Sequence, residues 1–225
     1  MIVVVGSRHD PVATDLVNRW PDAALCSAED LTRPGWVWPC GAGAGRSAWV
    51  VDGAVVDDAR VTGVFLRRAS VYAEELSSTH PDDRSYLAAE AHAFLVHVLH
   101  HTGATVVNPV DDGGSFGEAA LRPEHWMAAA TSIGVPVAPL RVRSDRRPRH
   151  PEAPELVEVV ATAAIGAASA ELGRLAVGMC LCARLRWAVV AFDRRARVVG
   201  ITTTRQPSDE AADHLGTLLG GPRAA

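Results

Sequence analysis

Residues 64–68 read VFLRR, an apolar run that ends on two adjacent arginines and leads into a loop carrying Tyr72, Glu74, Glu75, Asp82 and Asp83. Arginine suits bidentate recognition of carboxylate, phosphate or sulfate, because its planar guanidinium presents donors in a fixed fork. A second cluster, Ser7-Arg8-His9-Asp10, follows the apolar run 1–5 and Gly6. Open α/β sheets gather ligands at the turn after such a strand. There Arg8 would anchor an anion with Arg67 and Arg68, and His9, Asp10, Glu74 or Glu75 would take a proton. Ser7, Tyr72 and Asn108 lie close enough to these strand ends to complete a substrate site. All 22 of the chain's Lys and Arg residues are arginine, which removes any mechanism that needs a lysine. The competing reading is structural. Asp10 would cap a helix, the arginines would pair with the nearby acids, and strand alternation would turn Arg67 and Arg68 to opposite sides.

Other motifs carry less. GAGAGR at 41–46 lacks the register of a dinucleotide loop and any strand-to-helix context. DDGGSFG at 111–117 follows a strand and has the composition of a plain glycine loop, although its N–H groups suit an anion. His97 and His101 are one helical turn apart, but the glutamate of a H-E-x-x-H zinc motif is missing. Cys26, Cys40, Cys180 and Cys182 follow no metal or redox spacing; the last two fall in a strand-like run and read as buried small hydrophobes. Neither a metal nor a cofactor is expected.

The elements that would position these residues follow from periodicity. Continuous apolar runs at 1–5, 23–26, 61–66 and 105–108 read as buried parallel strands. A helix begins at Pro11 behind Asp10, and SAWVVDGAVVDD reads as a hairpin turning at Asp52-Gly53. Helical period covers 85–101, and a further helix starts at Pro123 and stops at Gly134. Residues 135–142 read as a strand, 143–155 as an exposed linker and 156–177 as a long Ala-rich helix. Two paired strands then turn at Arg194-Arg195, and a last helix is capped by Ser208. The fold class is α/β: a parallel-sheet, Rossmann-like N-terminal domain with a small C-terminal α/β segment. The expected division is 1–110, a connecting region 111–154, and 155–225.

Composition narrows the function classes. A net charge of −4 argues against a nucleic-acid binder, and no apolar run reaches the length of a membrane span. MIVVVG is too short and too neutral at its start for a signal peptide, which points to the cytoplasm.

The stretch GVFLRRASVYAEELSSTHPDDRSYLAAEAHAFL, then VVNP, then RPEHWMAAATSIGVPV, resembles the front half of bacterial ATP-grasp ligases of the RimK-like group. The resemblance covers residues 1–142, and the closing helix, strand pair and helix are similar to the family's last segment. It implies an N-terminal substrate-binding half and a nucleotide held by lysines and by magnesium on a glutamate and an asparagine. The departures are large. The middle of the family fold is reduced to the stretch after Arg143, no lysine exists, and the strand that should carry the metal ligands reads VVGITTTRQP.

These readings lead to an expectation of an ATP-independent biosynthetic enzyme, or a subunit of one, in bacterial specialised metabolism. It would act on a small anionic amino-acid-like molecule by elimination or ring closure with loss of sulfate or phosphate. Two alternatives remain: a non-catalytic partner of a second protein chain, with Trp36 and Trp38 in the interface, and a true ATP-grasp ligase forming an amide bond. A homo-oligomer would also cover such a surface.

Overall fold

The computed structural model describes residues 1–39, 45–110, 122–139 and 155–221, within two units: 1–120 with 216–225, and 121–215. The glycine runs 41–44 and 111–117, Cys40 and most of the expected linker lie outside the described residues.

The first unit runs β1 (Ile2–Val5), α1 (Pro11–Arg19), β2 (Ala23–Cys26), α2 (Ala28–Leu31), β3 (Ala48–Val51), β4 (Ala54–Asp57), β5 (Gly63–Leu66), α3 (Arg84–His101) and β6 (Thr105–Val107). Its main sheet is parallel in the order β2-β1-β5-β6. β1 and β5 are buried at every residue, as strands covered on both faces must be. On one face Val3, Val5, Val64 and Leu66 join Leu95 and Val98 of α3 and Trp49 of the hairpin in one core. Phe65, between Val64 and Leu66, instead meets Trp20 edge to face at 5.6 Å. The hairpin β3–β4 turns through Asp52 and Gly53 at φ 48° and 74°, the pair of positive angles that a two-residue type I′ turn requires.

Trp36 and Trp38, expected at a partner surface, pack against Trp49 at 5.4 and 5.9 Å. Their ring area is partly spent on this unit's own core.

The second unit contains α4 (Pro123–Ser132), β7 (Glu155–Val160), β8 (Ala163–Ile165), α5 (Ala170–Cys182), β9 (Trp187–Phe192), β10 (Val198–Thr202) and the start of α6 (Asp209–Gly220). Its sheet is antiparallel, in the order β10-β9-β7-β8. Trp126 and Ala130 of α4, and Ala176, Met179 and Cys180 of α5, pack on Val157, Val159, Ala188 and Val190.

Three expectations fail here. The long Ala-rich helix over 156–177 is a hairpin, β7–β8, followed by a helix that starts only at Ala170. Pairing of all of β7 with β9 outweighs the helix propensity of the alanines, and Ser169, whose side chain accepts from Leu172 N at 3.2 Å, caps the later start. Cys180 and Cys182 therefore sit on a helix, where i and i+2 diverge, and only Cys180 is buried. The expected strand at 135–142 reduces, among its described residues, to one parallel bridge between Val137 and Val198, closed by Ala138 N donating to Val198 O at 2.8 Å.

Candidate functional site

In the first unit β1 sends its chain to β2 on one side and β5 lies on the other, so the sheet reverses its winding around β1. The carboxyl ends of such strands form a crevice. A cavity of about 320 Å³ lies there, lined by Ser7, Arg8 and His9 after β1, by Ser27, Ala28 and Glu29 after β2, and by Glu74, Glu75 and Ser77 after β5. Five residues singled out from sequence thus meet at one place: Ser7, Arg8, His9, Glu74 and Glu75.

The other five, Asp10, Arg67, Arg68, Tyr72 and Asn108, do not line it. Arg67 is held beneath, with its side chain 6% exposed and Nε donating to Asp10 Oδ2 at 3.0 Å. Asp10 also accepts from Val12 N at 3.0 Å, so one carboxylate caps α1 and neutralises an arginine. Arg68 is 4% exposed at its side chain; Nη2 is bonded to Glu75 Oε2 and Nε donates to Ser70 O at 2.9 Å. Tyr72 is exposed, and its backbone N–H donates to Glu75 at 3.3 Å. Asn108 is buried just after β6. The arginine pair is therefore occupied by internal carboxylates. The open guanidinium is that of Arg8, which faces Glu29 at 3.7 Å.

Sequence reasoning missed Ser27, Glu29 and Ser77. The signal was present for the first two: Ser27 precedes Glu29-Asp30 directly after a strand, and Asp30 closes a capping box. Asp30 is fully buried and accepts from Ser27 N at 2.9 Å, Ser27 Oγ at 2.8 Å and Gly53 N at 2.9 Å. It fixes both the cavity rim and the hairpin turn.

The second unit has cavities on its sheet. One of about 590 Å³ lies along β8 and α5 and is lined by small residues, among them Ala164, Gly166, Ala170, Gly173 and Gly178, with Arg174 and Glu210 at its polar margin. Another, of about 440 Å³, is lined by Glu158, Val189, Arg205, Gln206 and Ser208.

No known family profile and no curated protein matches the sequence. Solved structures do. The macrocyclase MdnC from Microcystis aeruginosa MRC, bound with precursor peptide MdnA, superposes with a TM-score of 0.71 at 8% identity, covering 98% of this chain and 100% of that one. A RiPP-associated ATP-grasp ligase from Chryseobacterium gregarium, in complex with ADP and a leader and core peptide, gives 0.62 at 9% identity over 99% and 97%. A RimK domain ATP-grasp protein from Sphaerobacter thermophilus DSM 20745 gives 0.52 at 13% over 98% and 99%. The fold is ATP-grasp-like. At these identities the likeness is one of fold.

The expectation of an ATP-independent enzyme acting on a small anionic molecule is overturned by these ATP-grasp-like relatives. Those bound to substrate hold peptides, and one holds ADP. The internal pairing of Arg67 and Arg68 removes two of the three arginines on which that small anion was expected to sit.

The ATP-grasp-like fold implies a nucleotide and magnesium, so the donor set matters. β10 ends at Thr202, and Thr203 and Thr204 follow it; Thr203 is buried, and its carbonyl accepts from Trp187 Nε1 at 3.0 Å. Glu158, the carboxylate lining the neighbouring cavity, accepts from Ser208 N at 2.8 Å. Among the described residues no group of three or more His, Cys, Asp or Glu side chains is placed to hold a metal. The described donors do not fit a magnesium site on this strand. Nor is any helix of the described residues long and apolar enough to cross a membrane.

Proposed function

We propose that this protein binds a ribosomally made precursor peptide and works in its modification as an ATP-grasp-type ligase. The observation that carries this reading is the end-to-end likeness to peptide-bound enzymes of the same fold. The groove beside β8 supports it independently. Among the described residues β8 is one of the two edge strands of its sheet, and an extended peptide adds readily to such an edge. Ala164, Gly166, Gly173 and Gly178 line this groove with small side chains.

A second reading, in which the chain is a peptide-holding subunit without ligase chemistry of its own, is favoured by the threonines of β10 and the absence of lysine. One experiment separates the two. Labelled peptides encoded beside the gene are titrated into wild type and Ala164→Arg, a substitution at an exposed β8 position. Formation of ADP with Mg-ATP is then followed in the complex. Peptide binding that Ala164→Arg abolishes, with peptide-dependent ADP release, supports the ligase. Binding without ADP supports the subunit, and no peptide binding at all removes both.

A further inference from the structure

The two edges of the second unit's sheet are not equivalent. At the β10 edge, Val198 N donates to Pro136 O at 2.9 Å and Ala138 N to Val198 O at 2.8 Å, so that strand already has a neighbour. At the other edge β8 pairs with β7 on its inner side, and no strand or bridge among the described residues pairs with its outer side. The groove of about 590 Å³ runs along this strand and α5.

The wall that α5 gives to the groove is a helical stripe. Ala170, Arg174, Val177 and Leu181 are spaced by four, three and four residues and share one side of the helix, while Ala176, Met179 and Cys180 pack into the core. Leu181 is 57% exposed. Ile133, 39% exposed, borders the same end, since a Cβ on Gly178 would lie 3.2 Å from its Cδ1. Towards the other end Arg174 is exposed and has no hydrogen bond or ion pair among the described residues. Glu210, the other charged lining residue, is accounted for by its place in the first turn of α6, where a carboxylate meets the positive end of the helix. Nothing among the described residues neutralises Arg174. Seven residues of helix separate it from Leu181, about 10 Å, a length that three or four residues of extended chain span.

We propose that the β8–α5 groove binds an extended peptide segment carrying an acidic side chain, paired with Arg174, and a large apolar side chain, packed against Leu181 and Ile133. The assignment rests on the peptide reading for its biological source and adds to it the side chains that are selected. An arginine fork recognises a carboxylate, and the exposed aliphatic end gains by being covered.

The test uses the full chain and three acetylated, amidated pentapeptides: Thr-Asp-Thr-Leu-Thr, Thr-Lys-Thr-Leu-Thr and Thr-Asp-Thr-Ser-Thr. The two variable residues share one face of an extended chain. The peptides are titrated by ligand-observed NMR into wild type, Arg174→Gln, Arg174→Glu and Ala164→Arg. The Asp–Leu peptide binds wild type at least tenfold more tightly than either of the others. Arg174→Gln weakens it roughly tenfold, the size expected for one charge-assisted hydrogen bond. Arg174→Glu reverses the preference towards the lysine peptide, and Ala164→Arg abolishes binding. Arg174 is exposed and unpaired, so its variants melt with wild type and a loss of binding is not a loss of fold. Equal binding of the Asp–Leu and Lys–Leu peptides, no binding of any, or Asp–Leu binding that Arg174→Gln leaves unchanged overturns the assignment. The precursor separates this assignment from the peptide reading. Precursor binding that Ala164→Arg abolishes and Arg174→Gln leaves untouched removes the side-chain assignment alone. A wild type that ignores the precursor but binds the Asp–Leu peptide through Arg174 counts against the peptide reading and leaves this site standing.

Discussion

Arg68 and Glu75 are the residues whose pairing decides what the cavity is. Taking an arginine out of water is offset only when its charge is matched and its donors are filled, and here the match is an internal carboxylate. Removing Glu75 alone leaves the arginine buried without its partner. Glu75→Ala is expected to cost about 3 kcal/mol, at the lower end for a broken buried pair because Glu75 itself is partly exposed. Arg68→Met with Glu75→Gln, which removes the charge from both sides, should cost clearly less than that single change. Urea denaturation of these two variants, with Arg68→Met and Glu75→Gln each alone, reads this directly, and an additive double variant would show that the pair is not coupled.

The buried thiols give a pH signature at the same scale. Burial pushes Cys180 up to about 12 from an ordinary value of 9.0, and it raises Cys26 as well, where Asp30 adds to the shift and Arg68 opposes it. A folded-state value above the unfolded one means stability that is complete below pH 9 and is lost as pH climbs from about 9 toward 12. Cys180→Ala removes that loss, so its melting deficit against wild type should shrink between pH 7 and pH 10. A deficit that grows would contradict the burial of Cys180. Thiol labelling supplies a check: in a Cys40→Ser background, exposed Cys182 should react in the native state and the two buried thiols only after unfolding.

At the scale of elements, close backbone approach is the sharpest constraint. A Cβ built on Gly63 of β5 would lie 2.5 Å from the carbonyl oxygen of Leu219 and 2.6 Å from its Cβ, both in the first unit. Neither atom can swing aside as a side-chain tip would. Gly63→Ala should therefore lower stability by about 1–3 kcal/mol, as overpacking of a filled interior does. Gly200→Ala in β10 meets nothing within 4 Å and serves as the control, with little change expected in the same denaturation curve.

The strands of the first unit were legible because local pattern and tertiary role agree. IVVV and GVFL are β-branched or apolar throughout, and a fully buried parallel strand is the structure that such runs build. Residues 156–177 were not, because ELVEVV and AAI take their strand form from pairing with β9 and with each other. In β9 the partners lie from 27 residues away (Val160 with Trp187) to 37 (Glu155 with Phe192), beyond the reach of any local period. The site was legible in part for the same reason. Topology brings Arg8 and Glu74 to one crevice, as strand ends in a parallel sheet predict. Which arginine remains open depends on Asp10 and Glu75, whose aim no spacing rule gives.

At the scale of the molecule, the open chemical question is whether an ATP-grasp-like fold without lysine holds a nucleotide. The lysine's role on a phosphate is that of a point charge, which arginine can also supply. Arg205 is an exposed cation of the second unit and lines the 440 Å³ cavity with Gln206. A ligand at 100 times its dissociation constant stabilises the folded state by about 2.7 kcal/mol. In a chain of this size that moves a melting midpoint by roughly 5–10 °C. Melting with excess Mg-ATP should show that rise if the protein is a ligase, and Arg205→Ala should abolish it while leaving the melting point without nucleotide almost unchanged. A rise that survives Arg205→Ala would place the phosphates elsewhere. No rise with wild type, with or without bound peptide, would assign the chain to the peptide-holding role, because stabilisation by a ligand follows from binding whatever chemistry comes after.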